Sequence, residues 1–136
     1  MAAVPKSGIP SLATPLPTHE NRTHGYAAAA IAAGDACYIS GTASDGQPLF
    51  TKASGAAANA AAVVEGFAAG DAAAGDGVTL YRGDVHMHYG SGLTPGAGYY
   101  LSGTTAGGLD TATSTGGTEI IARAVSTSVI RCIGNR

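Results

Sequence analysis

The sequence predicts a mainly β fold: a small β-barrel or sandwich built from a duplicated hairpin unit, with an extended Pro-rich N-terminal arm and one short Ala-rich helix. Three observations lead there. From Tyr26 onward, short apolar segments alternate with Gly- and Asp-rich turns, the spacing of an all-β barrel or sandwich. One turn-and-strand pattern occurs three times, as IAAGDACYIS (31–40), AAAGDGVTLY (72–81) and LTPGAGYYLS (93–102). The first and third copies also extend into a matching loop and return strand. CYISGTASDGQPLF (37–50) aligns with YYLSGTTAGGLDTA (99–112) at an offset of 62 residues (99 − 37).

Each copy places apolar side chains three and five positions after a glycine: Cys37 and Ile39 after Gly34, Val78 and Leu80 after Gly75, Tyr99 and Leu101 after Gly96. Glycine takes positive φ at little cost and suits the turn that starts a strand. Residues two apart then share one strand face, here expected to meet the core.

Residues 1–24 form the expected arm and residues 25–136 the barrel. Four of the six prolines, Pro5, Pro10, Pro15 and Pro17, fall in the first segment. Such a stretch favours extended backbone without a core of its own, either as a tail or as an arm ordered on a neighbouring subunit. Strands are expected near 26–32, 36–40, 48–53, 62–69, 77–82, 84–89, 98–102, 108–112, 118–125 and 128–133. SGAAANAAAVVEGF (54–67) is mixed: its alanines favour helix, while Val63, Val64 and Phe67 favour strand. A brief helical run leading into a strand is expected.

Composition points to a chain that needs neighbours. Alanine and glycine, 28 and 21 residues, exceed a third of the 136, while the sequence has two Phe and no Trp. Alanine removes little area from water, and burial stabilises by about 25 cal/mol per Å². A homo-oligomer or a subunit of a larger assembly is the expected remedy. Charged residues are 12% and the net charge is −2, without a basic run, so nucleic acid is not an expected partner. No apolar run suits a membrane-spanning helix, and the N-terminus lacks the apolar stretch of a signal peptide. Cys37 and Cys132 sit in apolar segments and read as buried thiols or as a mutual disulfide.

Candidate chemistry is sparse. In GDVHMHYGSG (83–92), Asp84, His86 and His88 would share a strand face, and His-x-His can chelate a metal. A cupin site would also need a following glutamate and a later third histidine, and neither is present after His88. A polar strand face is the plainer reading, so no metal or other cofactor is expected. Asp35, Asp45, Asp71, Asp76 and Asp110 lie beside glycine or turn residues, where aspartate hydrogen-bonds backbone. No nucleophile elbow or phosphate loop is evident. An enzyme is not expected.

AAIAAGDACYIS, the Asp45-Gly46 turn, VVEGFAAGDAAAGDGVTLYRG, GLTPGAGYYLSGTTAGGL and ARAVSTSVIRCIG occur in an order that resembles the capsid decoration (cement, head-stabilising) proteins of tailed bacteriophages. The resemblance covers roughly residues 27–134. It implies a compact β protein on the outer surface of the virion's icosahedral capsid, binding after expansion and bridging major capsid protein subunits. It also implies self-association, commonly as trimers. On this reading Pro5, Ile9, Pro10, Leu12, Pro15 and Leu16 of the arm are the expected capsid contacts. Alternatives are a small β module of a head or tail fibre that binds host glycans through Tyr81, Tyr89, Tyr99 and Tyr100, a tail or head-completion subunit, and a metal-dependent barrel enzyme built on His86 and His88.

Overall fold

A computed structural model describes residues 3–12 and 22–134. The strands are β1 (Ala3–Val4), β2 (Lys6–Leu12), β3 (Arg22–Ala27), β4 (Ala36–Thr42), β5 (Pro48–Lys52), β6 (Gly66–Ala68), β7 (Gly77–Tyr81), β8 (Val85–Gly90), β9 (Gly98–Leu101), β10 (Leu109–Asp110), β11 (Ile120–Ala124) and β12 (Val129–Cys132). Strands β3-β5-β4-β6-β7 close a barrel. The others form a second, curled sheet in the order β1-β10-β9-β11-β12-β8-β2. The mainly β class read from the sequence is therefore the fold.

The threefold pattern is a repeated turn. Ala32 O accepts from Asp35 N, Ala73 O from Asp76 N and Thr94 O from Ala97 N, each at 3.0 Å. The third residue of each turn is Gly34, Gly75 or Gly96, with φ of 84°, 92° and 85°. A positive φ at that position is what a type II turn requires, and Pro95 stands where such turns favour proline. The aspartates act on backbone as expected. Asp35 and Asp76 accept from Ala32 N and Ala73 N, and Asp45, Asp71 and Asp110 from Gln47, Ala33 and Ala112 N.

Both copies of the duplicated unit are antiparallel hairpins, β4–β5 and β9–β10, but their return strands differ in register. Ile39 faces Phe50, whereas Leu101, its counterpart at the offset of 62, faces Leu109, the counterpart of Gln47. The two turns fall at equivalent positions but place their positive-φ glycine differently, and the β4–β5 register also shifts between Ile39 and Gly41. The first hairpin turns over 43–46 with Gly46 last at φ 89°, the second over 105–108 with Gly107 third at φ 77°. A second departure is Ile39 itself, expected in the core but 48% exposed. Strand β6 covers β4 only at Ala36 and Cys37, and the register slips after Ile39, so the outer half of the β4–β5 ribbon stands clear.

Alternation along β4 and β6 divides the core in two. Cys37 and Ala68 point into the barrel with Phe50, Val78 and Leu80. Ala36 and Phe67, one position earlier on each strand, enter a larger cluster with Met87, Tyr89, Leu101, Leu109, Ile121 and Ile130 of the second sheet. One barrel wall thus serves both interiors. The alanine run supplies a 3₁₀ turn, Ala60–Ala62, whose first residues are capped by the Asn59 side chain accepting from Ala61 N at 2.9 Å. Expected strand 62–69 shortens to β6.

The joint between the two sheets is made of backbone. Gly55 N donates to Ser102 O and Gly116 N to Gly55 O, both at 2.9 Å. A Cβ on Gly55 would lie 2.1 Å from Ser114 Oγ and 2.9 Å from the Leu101 carbonyl oxygen. Here glycine is needed for closeness, not for φ. Gly55→Ala is expected to lower unfolding free energy by about 1–3 kcal/mol, the usual cost of overpacking, as read from urea denaturation.

Residues 3–12 are extended, as the sequence suggested, and are taken up by the chain's own sheet. Strands β1 and β2 lie at opposite ends of the strand order, yet only Pro5 separates them in sequence. One broken strand therefore serves both edges. Val4 faces Leu109 on β10, while Lys6, Ser11 and Leu12 face Gly90, His88 and Met87 on β8. Deleting residues 1–12 should accelerate amide exchange at 85–90 and 109–110 while β3–β7 keep their protection. Equal loss in both sheets would show that the barrel depends on the strand.

Candidate functional site

The candidate site is the seat of the N-terminal strand and the face of β8 beside it. Proline has no N–H for a sheet ladder and is tolerated at strand breaks and bulges. Pro5 occupies the break between β1 and β2. Pro10 lies where the β2–β8 register shifts, between Lys6 and Ser11. The bulge carries Pro10 onto the barrel, where a Cβ on Gly34 would be 2.7 Å from its Cγ. A Cβ on Gly90 would be 2.3 Å from the Pro5 carbonyl oxygen, so the strand also crosses β8 at a glycine.

Charge fixes the same segment. Lys6 Nζ pairs with Asp35 Oδ1, and the other Asp35 oxygen accepts from Ala32 N at 2.9 Å. The ammonium also stands 5.9 Å from the centroid of the Tyr89 ring. Asp35 is nearly buried, so removing Lys6 would strand its carboxylate, an expensive arrangement. Of the six expected contact residues, Pro5 is exposed and Pro10 is buried within this chain. Ile9 and Leu12 belong to β2, and Pro15 and Leu16 lie outside the described residues.

On β8, His86 and His88 point away from the core, alternating with buried Val85, Met87 and Tyr89. His86 faces Arg131 across β12, and His88 faces Val129. Among the described residues no group of three or more His, Cys, Asp or Glu is placed to hold a metal ion. Asp84, expected on this face, is exposed with a left-handed φ of 70°. Tyr89 and Tyr99 are core residues, and Tyr81 and Tyr100 are half-buried on strands, so the four tyrosines do not form an exposed loop cluster.

Among the described residues, two open grooves stand out. One, of about 500 Å³, runs beside Arg22, His24, Thr79 and Tyr81, with His24 Nδ1 3.1 Å from Thr79 Oγ1. The other, of about 440 Å³, is walled by Gly55, Gly103, Thr104, Ser114 and Thr115 at the joint between the sheets. Neither was legible in the sequence, because each is assembled from strands or loops far apart in the chain.

Cys37 and Cys132 are free and buried. Burial pushes the Cys37 thiol up to about 12 from 9.0. The Asp35 carboxylate adds to the rise, and Lys6 and Lys52 oppose it. Burial likewise raises Cys132. The folded protein therefore keeps protons that the unfolded chain releases above about pH 9, and stability should fall as pH rises from there towards 12. Cys37→Ala should flatten that alkaline decline in a denaturation series, whatever its effect at neutral pH.

Comparison of the chain with protein-family models and with curated proteins finds no match.

Proposed function

We propose that the chain is a non-enzymatic structural protein that binds the outer surface of an expanded icosahedral phage head and stabilises it by bridging major capsid subunits. The observation that carries the reading is the broken N-terminal strand. It is extended and lies at both edges of the second sheet, so its outward side suits the addition of a neighbouring strand. The order of turn-and-strand motifs along residues 27–134 supports the same family.

Surface chemistry is compatible with close contact between subunits. Ile39 and Val63 are 48% and 45% exposed. They lie on adjacent segments, since Glu65 N donates to Cys37 O at 2.8 Å. An apolar pair of this kind suits a second copy of the chain, and we assign it to self-association, as a trimer. The small, weakly charged surface elsewhere lets backbones approach, and many weak contacts on one closed shell act together. The mechanism is mechanical: each subunit holds adjacent capsomers against internal pressure.

Purified protein mixed with expanded and unexpanded heads provides the test. Expected are hundreds of copies bound per expanded head, few on unexpanded heads, and greater resistance of the decorated head to heat. Binding at one vertex or on tails alone, or equal indifference to both head forms, would reject the proposal.

A further inference from the structure

We propose that the outer face of the seven-stranded sheet is a docking surface for an acidic protein segment, with Arg131 as its central carboxylate-binding residue. Antiparallel pairing places Arg123 directly opposite Arg131, and Arg131 directly opposite His86. The three side chains lie in one row across β11, β12 and β8. Their strand neighbours Ala122, Ala124, Ile130, Cys132, Val85 and Met87 are buried, so the row faces outward. Directly opposed residues have Cβ atoms about 5 Å apart, and like charges at that separation destabilise a sheet.

The sheet does not relieve this repulsion internally. Lys6 and Arg82 are ion-paired elsewhere, but Arg123, Arg131 and His86 have no ion-pair partner among the described residues. Arg123 donates to the Gly96 carbonyl at 2.9 Å, a neutral acceptor. Arg131 Nε is out of contact with solvent and makes no hydrogen bond. The terminal guanidinium nitrogens, not Nε, are therefore what a carboxylate arriving at this face would meet. The nearby carboxylates do not reach the row. Asp84 and Glu119 are exposed at strand ends, and Asp110, across β9 beyond Tyr100, is buried and accepts from Ala112 N.

The surroundings select the occupant. Half-buried Tyr100, Ile120 and Val129 flank the row, and arginine with tyrosine and aliphatic neighbours is the composition of a protein interface. The face shares no lining residue with either groove. Two arginines and a histidine on a chain of net charge −2 supply little of the electrostatic attraction that nucleic acid requires. A carboxylate carried on another protein surface brings its own walls, excludes water and answers the repulsion between the opposed arginines. The inference stands apart from head decoration, because a partner of any origin with such a segment satisfies it.

Titration of the full-length protein with an oligoglutamate peptide at low ionic strength, followed by amide chemical shifts, tests it. Saturable shifts should centre on 85–90, 120–124 and 129–132, and oligolysine should produce none. Arg131→Gln should weaken binding at least tenfold without lowering the melting temperature, since it removes one of two directly opposed arginine charges. Arg22→Gln, in the groove on the barrel, should bind like the parent. Absence of shifts at these strands, unchanged affinity in Arg131→Gln, or a lowered melting temperature with unchanged affinity would overturn the proposal. Tighter binding of inorganic phosphate or of a DNA duplex at the same residues would also overturn it, in favour of a phosphate site.

Discussion

The second sheet depends on one strand being in two places. Residues 3–12 pair with β10 at one end and β8 at the other, and Pro5 marks the change. The geometry is possible because glycines stand where the strand comes closest, Gly90 beneath Pro5 and Gly34 beneath Pro10. The Lys6–Asp35 pair then ties the strand to the first of the three repeated turns. The edges of the second sheet, a barrel turn and the N-terminal strand are thus coupled through a single, nearly buried carboxylate.

Scarcity of large side chains has a structural counterpart. Instead of filling a wide space between layers, the chain brings backbones together, with Gly55, Gly116 and Gly117 at separations where a Cβ would collide with carbonyl oxygens or a side chain. The remaining bulk goes to two clusters that share the β4 and β6 wall. Close approach gives hydrogen bonds across the joint without much apolar burial. It also makes the joint intolerant of added atoms, so small residues there are constraints and not merely economies.

Much of this was legible locally. The glycine-led turns, the hairpins and most strand positions follow from short-range signals, because φ preference and alternation act within a few residues. The N-terminal prolines misled in a specific way. They announce extended backbone without a regular ladder, and a bulge at Pro10 and a break at Pro5 meet that description inside a sheet. The hairpin registers were illegible because neither the different glycine placement in two equivalent turns nor the register shift after Ile39 shows in the sequence match. The Arg123–Arg131–His86 row was also invisible in sequence. Arg123 and Arg131 are separated by a turn, His86 lies far upstream, and only the pairing of three strands brings them level.

The broken strand also imposes an order of events. Its residues are made before their partners, one set at 85–90 and the other at 109–110. Residues 3–12 must wait for β8 and β10, while β3–β7 have all their own partners by Tyr81. Long-range pairing of this kind is the slow part of folding. The growing chain therefore passes through an interval in which residues 3–12 lack their sheet partners and are open to capture by whatever sheet edge arrives first.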